Sequence, residues 1–177
     1  DLPGMFAFAL WDENKQQLFC ARDRFGEKPL YYTTGKNGEF IFASEIKAIL
    51  ASGLANTEIN HDALSHYLQY GYVSTYQSIY KNIHSLPPAH QLIWKDGTIE
   101  VSRYYSLPKK DRQISLSDAK EEFVYLLKNA VEKQLIADVE VGSFLSGGLD
   151  SSSIVAMVNE FLPNQTTISF GYDHEDS

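Results

Sequence analysis

The stretch Val141–Ser152, VGSFLSGGLDSS, changes from apolar to small and polar residues and leads into an apolar helical pattern. Gly147 and Gly148 lack Cβ atoms and permit positive φ, so backbone N–H groups there can approach a ligand closely. A helix that follows directs its unpaired N–H groups and its dipole at the loop, which favours a bound anion. The stretch therefore predicts a strand, a phosphate-binding loop and a helix, in that order.

A plainer interpretation is a tight turn from strand to helix, with Asp150 or Ser151 as an ordinary helix cap. Such a turn needs one glycine and one capping residue, and the stretch contains more than that. No lysine follows the glycines, so the loop is not of the GxxxxGK-Ser/Thr type. An acidic residue beside an anion is explained if Asp150 holds Mg²⁺ or its water shell.

The elements around this loop predict a parallel sheet. Apolar residues recur with helical spacing over residues 116–135, and Ser117 is the expected N-cap of that helix. A strand at 141–145, a helix at 152–161 and a strand at 167–170 follow. Strand, helix and strand joined by short connections are typical of α/β domains.

The first hundred residues predict a mainly antiparallel β structure. Asp96-Gly97, between two apolar runs, is a strong hairpin signal. The charged stretch Arg22–Lys28 is expected to form a solvated loop with an internal ion pair, and Ser44 to cap a short helix. The remaining expected elements are strands at 5–11, 17–21, 30–33 and 39–43 and helices at 45–51 and 62–70.

Composition narrows the class of protein. The chain has 177 residues, a formal net charge of −8 and one cysteine. The negative charge argues against nucleic-acid or membrane binding through bulk electrostatics. One cysteine allows no internal disulfide, which fits a reducing, cytoplasmic location. Both ends fall within patterned segments, so we expect a piece of a longer protein.

Several motifs together resemble one enzyme family. Three segments, GMFAFALWD (4–12), RDRFGEKPLYY (22–32) and FASEIKAIL (42–50), are similar to the later part of the glutaminase domain of glutamine-hydrolysing asparagine synthetases. SLPPAHQLIWKDGTIEVSRYY (85–105) resembles the end of that domain, although the family usually has glycine at the position of Ala89. LIADVEVGSFLSGGLDSSSIVAM (135–157) resembles the start of the synthetase domain, whose pyrophosphate loop also occurs in argininosuccinate, GMP and NAD synthetases.

The resemblance implies a two-domain α+β and α/β fold. Residues 1–108 would be the C-terminal part of a glutaminase domain of the N-terminal-nucleophile (Ntn) type, with antiparallel sheets. Residues 109–115 would be a linker. Residues 116–177 would begin a parallel-sheet ATP-pyrophosphatase domain.

The resemblance also implies a reaction. In the family, an N-terminal cysteine releases ammonia from glutamine, ATP adenylates aspartate to β-aspartyl-AMP, and ammonia displaces AMP to give asparagine. ATP and Mg²⁺ are thus expected, with aspartate and glutamine or ammonia as substrates and a homodimer as a known family arrangement. No catalytic residue is expected in this chain, because the N-terminal cysteine that the resemblance implies is missing from it, and Cys20, in an apolar strand, is not expected to replace that nucleophile. The ATP-binding residues implied are Phe144, Ser146, Gly147, Gly148, Leu149, Asp150, Ser151, Ser152 and Phe170, with Asp150 also near Mg²⁺.

Two alternatives stay open. One is a related enzyme, such as a β-lactam-synthetase-like protein, that acts on another carboxylate. The other is a non-catalytic nucleotide-binding or regulatory domain that keeps the fold. The intact SGGLDSS stretch argues against the second.

Overall fold

The computed structural model describes residues 2–74, 76–108 and 112–171. The chain divides into two compact units, Met5–Lys109 and Lys110–Ser177 with Asp1–Gly4. Residues 109–111 of the expected linker, and the last six residues expected for the second domain, lie outside the described residues.

The first unit contains two antiparallel sheets. One has four strands, β1 (Ala7–Asp12), β2 (Gln17–Arg22), β6 (His90–Lys95) and β7 (Thr98–Arg103), in the order β1-β2-β6-β7. The other has three strands, β3 (Tyr31–Thr34), β4 (Phe40–Ala43) and β5 (His84–Ser85), in the order β4-β3-β5. The expectation of an α+β part with antiparallel sheets is confirmed, but its first four strands divide between two sheets.

Alternation of side chains along the strands builds two layers of core. One cluster packs Cys20, Leu30, Leu86 and Leu92 with partly buried residues from both sheets. The other lies around Ile49 of helix α1 (Ile46–Ala51), against side chains of β3 and β4 that point to the opposite face. Successive strand residues point to opposite faces, so one three-stranded sheet serves both clusters.

The turn and helix predictions for the first unit are confirmed in part. Asp96 and Gly97 have φ of 48° and 78° and join β6 to β7, as a two-residue hairpin requires. The helix expected at 62–70 is α2 (His61–Tyr70), capped by the side chain of Asn60. The capping role expected of Ser44 is wrong, because Glu45 occupies the N-cap of α1 and no side chain accepts a hydrogen bond there.

The charged stretch Arg22–Lys28 is solvated only in part. Arg22 and Asp23 are buried, with 8% and 1% of their surfaces exposed. The Arg22 guanidinium donates to the carbonyls of Gly26, Lys28 and Leu86 and to Ser85 Oγ. The expectation of solvation is therefore wrong for Arg22 and Asp23, because backbone carbonyls surround the guanidinium in place of water, whereas Arg24, Glu27 and Lys28 are exposed as expected.

Cys20 is expected to be chemically inert in the folded protein. The side chain is fully buried in β2, and burial raises the pKa of its thiol to about 11. At pH 8 about one thiol in a thousand is then ionised, and only the thiolate is reactive. Iodoacetamide should leave the peptide that contains Cys20 unmodified until urea unfolds the protein, as mass spectrometry can measure. Rapid modification under native conditions would contradict this burial.

The second unit holds helix α3 (Leu116–Gln134), strand β8 (Gly142–Phe144), helix α4 (Leu149–Phe161) and strand β9 (Thr166–Ile168). Strands β8 and β9 pair in parallel, with Ser143 opposite Thr167. Ser115, not the expected Ser117, caps α3 by accepting a hydrogen bond from the Asp118 amide. Over the described ranges, no helix has the length and apolar character needed to cross a membrane.

Candidate phosphate-binding site

The loop that joins β8 to α4 is shorter than the sequence predicts. Helix α4 begins at Leu149, three residues before the expected start at Ser152. Leu149, Asp150 and Ser151 therefore form its first turn, and Leu145–Gly148 alone connect strand and helix. Residues 146–152 are thus together at the carboxyl end of β8, where ligands bind in open α/β sheets.

The two glycines of this loop have different physical roles. Gly147 has a φ of 79°, a conformation that L side chains rarely adopt. Gly148 has a φ of −78° and a ψ of 164°, which any residue can adopt. A Cβ at Gly148 would lie 3.6 Å from Ser146 Oγ, an ordinary contact. The backbone conformation therefore favours glycine at 147 but not at 148.

Ser151 closes the loop onto the helix. Its Oγ accepts a hydrogen bond from the Ser146 amide at 3.3 Å and lies 2.9 Å from Ser146 Oγ. The same hydroxyl donates to the Gly148 carbonyl at 3.2 Å. These contacts join the strand end to the first turn of α4 and define the loop conformation.

The N-terminus of α4 presents backbone donors to this loop. Gly148 is the N-cap and has no side chain, and no side-chain cap hydrogen bond is formed there. The Ser152 amide donates to the Gly148 carbonyl at 3.1 Å, which begins the helical hydrogen-bond ladder. The amides before it have no intrahelical partner, and with the helix dipole they favour an anion.

Phe144 and Phe170 come together beside the loop. Phe144 ends β8 and Phe170 lies two residues beyond β9, so parallel pairing places both at the same end of the sheet. Their rings are 6.0 Å apart with an interplanar angle of 26°. They are 70% and 79% exposed, so in this unit they form an open aromatic surface and not a packed core.

Asp150 is an exposed carboxylate in the first turn of α4. Within the described part of the chain, no group of three or more His, Cys, Asp or Glu residues could hold a metal ion. A magnesium ion at Asp150 would therefore need phosphate oxygens and water as its other ligands, which is its usual coordination in nucleotide sites.

Two sequence families match the chain in succession. Residues 1–105 match the family described as glutamine amidotransferase domain, and residues 122–177 match asparagine synthase. The first match covers the unit with the antiparallel sheets, and the second covers the candidate site.

Individual relatives agree with both matches. The chain is 42% identical over 176 residues to a Methanocaldococcus jannaschii protein provisionally named glutamine-hydrolysing asparagine synthetase 2, covering 96% of this chain and 34% of that protein. It is 41% identical over 157 residues to glutamine-hydrolysing asparagine synthetase 3 of Bacillus subtilis, covering 88% of this chain and 25% of that protein. It is 36% identical over 172 residues to the amidase chry2 of Gibberella zeae, covering 94% of this chain and 25% of that protein. The chain thus spans between a quarter and a third of these relatives.

Proposed function

Because the chain belongs to the glutamine-hydrolysing asparagine synthetase family, we propose that its protein makes asparagine from aspartate, ATP and glutamine. Glutamine supplies ammonia, and the aspartate side-chain carboxylate attacks the α-phosphate of ATP and releases pyrophosphate. Ammonia then attacks the activated carbonyl, and AMP leaves. The observation that carries the proposal is the exposed end of the loop, Ser146–Gly148, together with the first turn of α4, within the segment that matches asparagine synthases.

The loop would bind the pyrophosphate portion of ATP. Gly148 leaves room for a phosphate oxygen to reach the backbone, because only Ser146 Oγ lies within 4 Å of its Cβ position. The uncapped amides of the first turn of α4 would donate to that oxygen. Ser146, Ser151 and Ser152 add hydroxyls at the same end of the sheet, and Leu149, 83% exposed, would lie beside the nucleotide.

Asp150 would orient Mg²⁺ bound to the phosphates. Its exposed carboxylate fits an ion whose remaining ligands are phosphate oxygens and water. When bound, the ion would neutralise charge that develops on the departing pyrophosphate. Phe144 and Phe170 are proposed to contact the nucleotide through their strand-end backbones, as the family resemblance implies.

We extend the proposal to the arrangement of domains. Residues 1–108 would belong to the glutaminase domain, 109–115 to a linker and 116–177 to the ATP-pyrophosphatase domain. The division of the chain into units at Lys109 and Lys110 supports this boundary. A cytoplasmic homodimer is the corresponding assembly, with no nucleic-acid or membrane partner.

A second candidate function is amidation or cyclisation of a different carboxylate. The relative named as an amidase in Gibberella zeae favours it, since that protein is 36% identical over 94% of this chain. The phosphate-binding loop would be shared, and only the acceptor would differ.

Pyrophosphate release from Mg-ATP distinguishes these functions. The protein at its natural full length should release pyrophosphate when ammonia and aspartate are added, and asparagine should accumulate. Other carboxylic acids, added one at a time, test the alternative acceptor. If another acid triggers pyrophosphate release and aspartate does not, that acid is the acceptor in place of aspartate. If no acid triggers release, the loop is not a catalytic phosphate site.

A further inference from the structure

Gln165 bridges the two elements that flank the phosphate-binding loop. Its side-chain Oε1 accepts a hydrogen bond from Ser143 Oγ of β8 at 2.5 Å. Its Nε2 donates to the carbonyl of Val155 in α4 at 3.0 Å. Both contacts are partly buried, so one amide links the strand before the loop to the helix after it.

The two contacts fix the orientation of this amide. The Val155 carbonyl can only accept a hydrogen bond, so Nε2 must face the helix and Oε1 must face Ser143. Gln165 directly precedes β9 and cannot be replaced in this bridge by a shorter side chain without moving the strand. The bridge therefore holds β8, α4 and β9 at one point.

The position of this bridge matters for the loop. Ser143 lies three residues before Ser146, and Val155 lies one helical turn beyond the loop-closing Ser151. Ser151 is hydrogen-bonded within the loop, to Ser146 and Gly148. Gln165 is hydrogen-bonded to the strand before the loop and to the helix after it. A shift of α4 along β8 would carry the first-turn amides with it.

We propose that Gln165 is a positioning residue for ATP binding. Its side chain is hydrogen-bonded to Ser143 and Val155, on either side of the loop, and it acts by fixing the separation of β8 and α4, so that the amides of the first turn converge on one phosphate. This role rests on the proposed function, since it concerns the same site. Displacements of about 1 Å at such a site reduce activity by up to about a hundredfold.

Replacing Gln165 with methionine tests the proposal at nearly constant side-chain length. In the full-length protein, Gln165→Met should raise the KM for ATP about tenfold while the KM for the acceptor acid stays unchanged. Hydrogen exchange of the peptide around residues 143–155 should accelerate. Ser143→Ala should give a smaller rise, and combining it with Gln165→Met should add little, because the bridge is already broken.

Asn159→Ala is the matched control. Asn159 Oδ1 accepts a hydrogen bond from the Asn164 amide at 3.3 Å, so this variant also loses a contact between α4 and the segment before β9. It should leave the KM for ATP unchanged. An equal rise in both variants, or no rise in Gln165→Met, would overturn the role of Gln165.

The wild-type assay separates the two proposals. If the wild-type protein releases no pyrophosphate from ATP with any acid, the proposed function fails and the role of Gln165 in ATP binding fails with it. If the wild type is active and Gln165→Met has the wild-type KM and exchange rate, only the role of Gln165 fails.

Discussion

Replacing Gly148 with alanine should weaken ATP binding about a hundredfold, roughly 2.7 kcal/mol, and leave the protein folded. The backbone at Gly148 is in a region open to alanine, and the new Cβ would meet Ser146 Oγ at an ordinary 3.6 Å. The fold therefore tolerates the methyl group. A phosphate oxygen that contacts the backbone at this N-cap would be displaced by it. Equilibrium binding of ATP and the thermal midpoint, measured on the same samples, check both parts.

Gly147→Ala is a control that should lose stability, in contrast to Gly148→Ala. Its φ of 79° forces strain on any L side chain, so this variant should lose about 1–2 kcal/mol of stability. Gly148→Ala should change stability by less than about 1 kcal/mol, because reduced unfolded-state entropy offsets a poorer N-cap. Wild-type ATP affinity in Gly148→Ala would show that phosphate does not approach this backbone position.

The loop itself could be predicted from the sequence, but its boundary could not. The apolar strand, the glycine pair and the apolar helix are local patterns, and each falls within a few residues of its expected place. Helix α4 starts three residues earlier than predicted, since Leu149 and Asp150, immediately after Gly148, already belong to it. An uncapped start carries no side-chain signal in the sequence, and the periodicity of apolar residues becomes clear only after Ser152.

The features that the sequence could not predict depend on contacts between residues that are distant along the chain. Gln165 lies 22 positions from Ser143, and no local pattern marks it as a partner. The two-sheet arrangement depends likewise on the pairing of β2 with β6, whose register sets Cys20 opposite Leu92. The periodicity of apolar residues indicates which face of a strand is buried, but not which strands become neighbours.

Ala89 connects the family resemblance with this distant packing. The residue has a φ of 60° where the family usually has glycine, and it is 2% exposed. Its amide donates to the Asp23 carbonyl, and its own carbonyl accepts from the Tyr104 amide. A left-handed alanine costs about 1–2 kcal/mol, and these two hydrogen bonds help to offset that cost.

Asp23 organises the whole charged stretch after β2. Its carboxylate accepts hydrogen bonds from the amides of Phe25 and Glu27 at one oxygen and of Phe6 and Lys28 at the other, at 3.0–3.3 Å. Burial tends to raise the pKa of Asp23, and the four amides lower it by more, so its pKa lies below the ordinary value. The ionised carboxylate is therefore part of the folded structure, where it fixes the backbone between Asp23 and Lys28.

Asp23→Asn should destabilise the 177-residue chain by about 2–4 kcal/mol at pH 7. An amide has one accepting oxygen, so its NH₂ group would face two of the four backbone donors and leave them unsatisfied in a buried site. Because the folded pKa is depressed, the stabilisation from the carboxylate is complete above the unfolded pKa of about 3.9 and is lost as the pH falls through the folded value. Urea denaturation at a series of pH values should show the difference from wild type shrinking in that acidic range. Asp62→Asn, at an exposed position in the first turn of α2, should cost less than about 0.5 kcal/mol at any pH; equal effects of the two variants would contradict the role assigned to Asp23.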